Sequence, residues 1–190
     1  MKFNPDAHHR KTIRLREYDY SQAGFYFVTI CTQDRVPLFG NIVDGAMLLN
    51  GAGRMVQTVW DEMPKNYPNV LLDEFIIMPN HIHGIVNVGA APCGRPSLYE
   101  SKQGQPRGVA PTETINQTLS LPDIVHRFKT MTTKRYVDGV NHQSWPCFPR
   151  RLWQRNYWEH IIRNDQEFHD TREYICNNPA QWELDDLYLK

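Results

Sequence analysis

The chain has 190 residues, of which 41% are hydrophobic, 22% charged and 12% aromatic, and its formal net charge is zero. That profile fits one globular domain over 1–190 rather than a disordered or fibrous chain. No apolar run approaches the ~20 residues that span a bilayer, and the first ten residues lack the apolar stretch of a secretory leader. A membrane association is therefore not expected, and a cytoplasmic, nucleoid-associated place is.

Residues 1–17 hold five Lys/Arg against two acids. They form most of a basic arm, taken over 1–20, in which Arg10, Lys11, Arg14 and Arg16 are candidate phosphate contacts and Tyr18 and Tyr20 candidate stacking rings. Phe25 to Thr32 is β-branched and aromatic after Gly24, which reads as a strand. Leu38 to Val43 reads as a second. From Asn50 to Tyr67, Met55, Val56, Val59, Trp60 and Met63 recur at helical spacing, with an irregular last turn expected at Pro64. Val70–Met78 and His81–Val88 read as two strands joined tightly at Pro79-Asn80.

Residues 89–118 are rich in glycine and proline and predict a flexible loop. Ser120 then caps a helix, with Asp123 three positions on as its capping-box partner. Arg127, Lys129, Lys134 and Arg135 lie on or near that helix and are further candidate DNA contacts. Leu152 to Ile162 reads as extended, and Asn164 or Asp165 caps a last helix that ends near Asn177, before Pro179. The order β-β-α-β-β-loop-α-β-α predicts an α+β fold, an antiparallel sheet with packed helices.

Zero net charge conceals an uneven distribution. Residues 126–163 hold eight Lys/Arg against two acids, and 164–190 hold two against seven. A neutral chain can thus present a basic face to phosphates. The four cysteines, Cys31, Cys93, Cys147 and Cys176, include no Cys-x-x-Cys pair and read as reduced thiols.

Two features carry chemistry. His81 and His83 are two apart in an extended segment, so both project from one face while Ile82 points into the core. They read either as polar residues on a solvated strand or as half of a metal site. Tyr174 and Asn178 are four apart on the last helix and share its face. A tyrosine hydroxyl is a weak nucleophile near neutral pH, but serves beside a metal that polarises a phosphodiester. Tyr157 is the nearest competitor for that role.

Together these segments resemble a known family. Ile77-Met78-Pro79-Asn80-His81-Ile82-His83-Gly84, Leu152 to Arg163, Tyr174-Ile175-Cys176-Asn177-Asn178-Pro179, and Ile13 to Ser21 running into Phe25–Thr29 are similar to the single-tyrosine HUH transposases. The likeness is to the REP-associated tyrosine transposase subgroup.

The resemblance implies a ferredoxin-like HUH endonuclease core that binds hairpin DNA and cuts and rejoins single strands. In it Tyr174 is the nucleophile, and His81, His83 and Asn178 hold a divalent metal, Mg²⁺ or Mn²⁺. Asn178 stands where related insertion-sequence enzymes carry glutamine. Those relatives act as homodimers; the subgroup is less uniform, and the sequence leaves the oligomeric state open. Two rival functions are a non-catalytic hairpin-binding protein and a metal-dependent phosphodiesterase that uses water.

Overall fold

The computed structural model describes residues 18–89 and 119–188. Arg10, Lys11, Arg14 and Arg16, and the loop expected over 89–118 apart from Gly89, lie outside the described residues.

The first strand, β1 (Gly24–Cys31), forms where β-branched and aromatic residues alternate between two buried faces. β2 (Gly40–Val43) and β3 (Ala46–Leu49) make a separate hairpin. Asp44 and Gly45 at its tip both have positive φ, 50° and 73°, as a type I′ turn requires. The sequence reading overlooked this second arm, although Asp-Gly announces it. Asn50 caps α1 (Gly51–Asn66) by accepting from the Gly53 amide. The helix continues through Pro64 to Asn66, so the expected irregular last turn is not seen.

β4 (Leu71–Met78) and β5 (His81–Val88) form the expected hairpin. α2 (Leu121–Gln143) starts with the capping box of Ser120 and Asp123. Only Trp158–Ile162 of the segment expected to be extended is a true strand, β6. Upstream of it the chain pairs beyond the end of β1, through a bridge from Thr32 to Trp153. α3 (Asp165–Asn177) is capped by Asn164 and passes into a 3-10 segment, Asn178–Leu184.

The main sheet has the order β4-β5-β1-β6 and is antiparallel throughout. Leaving out the small hairpin and α3, the chain is β1-α1-β4-β5-α2-β6, a ferredoxin-like α+β arrangement. α1 and α2 cover one face, packing on Tyr26, Val28, Ile30, Ile82 and Val86. α3 covers the other with Ile175 against Phe27, Ile85 and Ile162. β5, between two neighbours and under both layers, is buried along all eight residues.

The α1 layer depends on Gly84. A Cβ there would meet the Trp60 ring at 2.6 Å, and Trp60 is itself stacked on Phe75 at 4.1 Å. Gly84→Val should therefore overpack the interface and destabilise the fold by about 1–3 kcal/mol. Chemical denaturation measures this; an unchanged midpoint would mean that Trp60 can move aside freely.

Candidate active site

β5 presents His81 and His83 on the α3 side of the sheet, while Ile82 is fully buried on the other. Both histidines are buried, at 0% and 2% exposure. The solvated-face reading is thereby excluded. His81 Nδ1 lies 2.8 Å from Asn80 Oδ1, an acceptor, so Nδ1 carries the proton and the Nε2 lone pair faces outward. His83 Nδ1 lies 2.8 Å from Thr29 Oγ1, its register partner on β1.

The two Nε2 atoms are 3.0 Å apart. That equals the separation of two ligands set at right angles about one cation, each at roughly 2.1 Å. Burial pushes both imidazoles down to about 3, aided by the Arg35 guanidinium at His81 and by His81 at His83. Both are thus neutral at ordinary pH, the form that binds metal.

Asn178 begins the 3-10 segment at the end of α3 and is buried. Its Nδ2 donates to Asp185 Oδ2 at 3.3 Å, and its Oδ1 is buried with no hydrogen-bond partner. A buried amide oxygen left without a hydrogen-bond partner is available as a donor to a cation. Asp185 Oδ2 lies 4.0 Å from His81 Nε2, and the ligand atoms of His81, His83 and Asp185 all fall within 4.8 Å of one another. The donor set, two imidazoles with an amide and a carboxylate oxygen, fits Mn²⁺ or Mg²⁺.

Asp185 is the residue that sequence reasoning missed. It follows the 3-10 segment directly, and its stretch of chain is held at the cluster by Asn80 Nδ2, which donates to Leu187 O at 2.9 Å, and by Arg35, which donates to Asp186 O at 3.0 Å.

Tyr174 meets the histidines. Its ring centroid is 5.4 Å from that of His83 and 5.9 Å from that of Phe27, both edge-on. It is 45% exposed and lines a groove with His83, Asn178 and Asp185. Burial raises its phenol, Asp185 and Asp186 add to that, and the Asn178 side chain opposes it. Tyr157 also borders the groove, but its ring is buried in the opposite core beneath the Lys129 ammonium.

The candidate DNA contacts are less well placed. Tyr18 and Tyr20 were expected to be exposed stackers. Instead they pack edge-on at 5.0 Å and join Tyr26 in the α1–α2 core, with Tyr20 only 9% exposed. Burying the rings there gains more than leaving them in water. Arg127, Lys134 and Arg135 sit on α2, in the layer opposite Tyr174. Arg127 lies over Tyr67 at 4.7 Å, Arg135 pairs with Glu62 at 2.5 Å, and Lys134 is exposed. Lys129 donates to the carbonyls of Gln154, Arg155 and Asn156, pinning the strand entry that lines the groove. Arg150, Arg151 and Arg155 on that segment are exposed. The excess of basic residues in 126–163 was their only signal.

No protein-family model matches the chain. An uncharacterized protein of Haemophilus influenzae is 39% identical over 194 residues, which span 99% of this chain and 98% of its own length. A second Haemophilus influenzae protein, provisionally named REP-associated tyrosine transposase, is 24% identical over 86% of this chain and 74% of its own length. The solved structure of a REP-associated tyrosine transposase bound to a REP hairpin shares the fold. Its TM-score is 0.51 at 18% identity, over 90% of this chain and 74% of that one.

Proposed function

We propose that the chain is a REP-associated tyrosine transposase, a metal-dependent endonuclease and strand transferase acting on hairpin-bearing single-stranded DNA, a reading supported by its similarity to proteins of that name. The observation that carries this reading is the meeting of Tyr174 with a buried histidine pair whose Nε2 atoms are 3.0 Å apart. His81, His83 and Asn178 would hold a divalent cation, with Asp185 as a further oxygen donor. When bound, such a cation supplies charge neutralisation at a non-bridging oxygen of the phosphate.

Tyr174 does the covalent work. Its Oη bonds to phosphorus as the bond from phosphorus to the 3′ oxygen breaks. The tyrosine then carries the 5′ phosphate, and the departing strand ends in a 3′-hydroxyl. Since Tyr174 is 45% exposed, its proton can pass to water in the groove and a proton return to the 3′ oxygen. One phosphodiester is exchanged for another, so a second 3′-hydroxyl reverses the step without ATP, and the chain has no Gly-x-x-x-x-Gly-Lys-Ser/Thr loop. Asn80 and Thr29 hold the imidazoles in place from behind. No helix among the described residues is long and apolar enough to cross a membrane.

The test is incubation with hairpin-bearing single strands and Mn²⁺, followed by denaturing electrophoresis. A protease-sensitive protein–DNA adduct is expected. Cleavage without an adduct would favour the phosphodiesterase that uses water, and binding without cleavage the hairpin-binding protein.

The phosphate track is proposed to run along Arg150, Arg151 and Arg155, which lead to the groove-lining Gln154 and Asn156. Changing all three arginines to alanine should flatten the plot of log affinity against log salt by about 2, since each single-strand phosphate contact contributes roughly 0.7. An unchanged slope would remove them from the DNA path.

A further inference from the structure

The groove has a second aromatic wall that the chemistry above leaves idle. Trp158 opens β6, the edge strand of the sheet, and its indole is 45% exposed. It pairs with Thr29, which on its other side pairs with His83. Trp158, Thr29 and His83 therefore form one row across three strands, with the outer two ~10 Å apart. All three face the groove, as does Tyr174.

The indole is buttressed from behind. It stands edge-on to Phe27 at 5.6 Å and 74°, and lies parallel to the His160 ring at 6.0 Å and 8°. His160 is tied in turn to Glu167 at 2.5 Å. Phe27 also supports Tyr174, so one buried ring sets the position of both groove aromatics. A flat apolar ring held in place, yet open to the groove, loses little freedom when a second flat ring lies on it. Gln154 and Asn156 flank it with amides, which can donate and accept at once. Those are the parts of a site for a planar, polar-edged ring rather than for an aliphatic chain.

We propose, on the basis of the DNA-cleaving reading above, that Trp158 is the stacking platform for an unpaired base beside the phosphate that Tyr174 attacks, with Gln154 and Asn156 bonding the edge of that base. Trp158 is a positioning residue: it touches the nucleotide and takes no part in bond exchange. Its place in the row sets the phosphate next to the base between the strand edge and the histidines.

The experiment uses the full chain carrying Tyr174→Phe, so that binding is read without cleavage. The probes are a DNA hairpin with a ten-nucleotide single-stranded thymidine flank, and the same hairpin with an abasic flank. The base-bearing flank should bind roughly 5- to 150-fold more tightly, the range of one stacked base. Trp158→Leu should bring that ratio close to one, and Trp158→Phe should keep most of it. Affinity for the hairpin without a flank should be unchanged in both variants, and a thermal melt checks that both remain folded. A ratio that survives Trp158→Leu overturns the platform, as does the absence of any preference in the Tyr174→Phe parent. The cleaving function is judged separately by the wild-type adduct, so either idea can fail alone.

Discussion

Tyr174→Phe should eliminate the covalent protein–DNA adduct and lower strand cleavage by at least roughly three orders of magnitude. Loss of the nucleophile removes the covalent route outright, and what survives is only background attack by water. The change deletes one oxygen from a ring that is half in solvent, so stability should shift by no more than about 0.5 kcal/mol. Phe27 and His83 contact the ring and would keep it in place. Hairpin affinity should persist, because no basic residue changes. Tyr157→Phe should retain both adduct and cleavage, since that ring belongs to the opposite core. An adduct that survives Tyr174→Phe but disappears in Tyr157→Phe would assign the chemistry to the other tyrosine.

His81→Ala and His83→Ala should each weaken Mn²⁺ binding by more than about a hundredfold, because even partners that only orient a ligand are worth 10- to 100-fold. Cleavage should fall below detection with them. Hairpin affinity should change little, since the imidazoles sit beneath the groove floor and carry no charge. Both substitutions open a buried space at the centre of the sheet and should cost about 1–3 kcal/mol of stability. A circular dichroism melt therefore accompanies the titration. Calorimetric titration of the metal-free protein with Mn²⁺ gives the affinity independently of activity. Wild-type affinity and full cleavage in both variants would dismiss the metal assignment.

The parts of this architecture with a short-range cause were legible in the chain. Ser120 with Asp123, and the pair Asn164-Asp165, mark helix starts because side chains there satisfy amides that no helical carbonyl reaches, and the structure assigns the second cap to Asn164. The shared face of His81 and His83 follows from the pleat alone. The meeting of Tyr174 with that face does not. It depends on α3 crossing the sheet, and only the family resemblance supplied it.

Asp185 was invisible for a different reason. It belongs to no periodic element, and its stretch of chain is held by contacts from Asn80 and Arg35, more than a hundred residues away in the chain. Tyr18 and Tyr20 misled because an aromatic ring beside a basic arm looks the same in sequence whether water or Tyr26 lies against it. Trp158 was passed over within a segment read as extended. Its value comes from standing at the sheet edge, which only the strand order reveals.

The two halves of the proposed centre are anchored very unequally. Every residue of β5 is buried, so the histidines can move only when the sheet itself gives way. α3 buries Ile175 alone. Local opening of the tyrosine helix thus costs far less than global unfolding, whereas opening of the histidine strand costs nearly all of it. As the temperature rises toward the melt, the proposed nucleophile should come adrift while the histidine pair keeps its spacing, so that strand cleavage should be lost before the fold is.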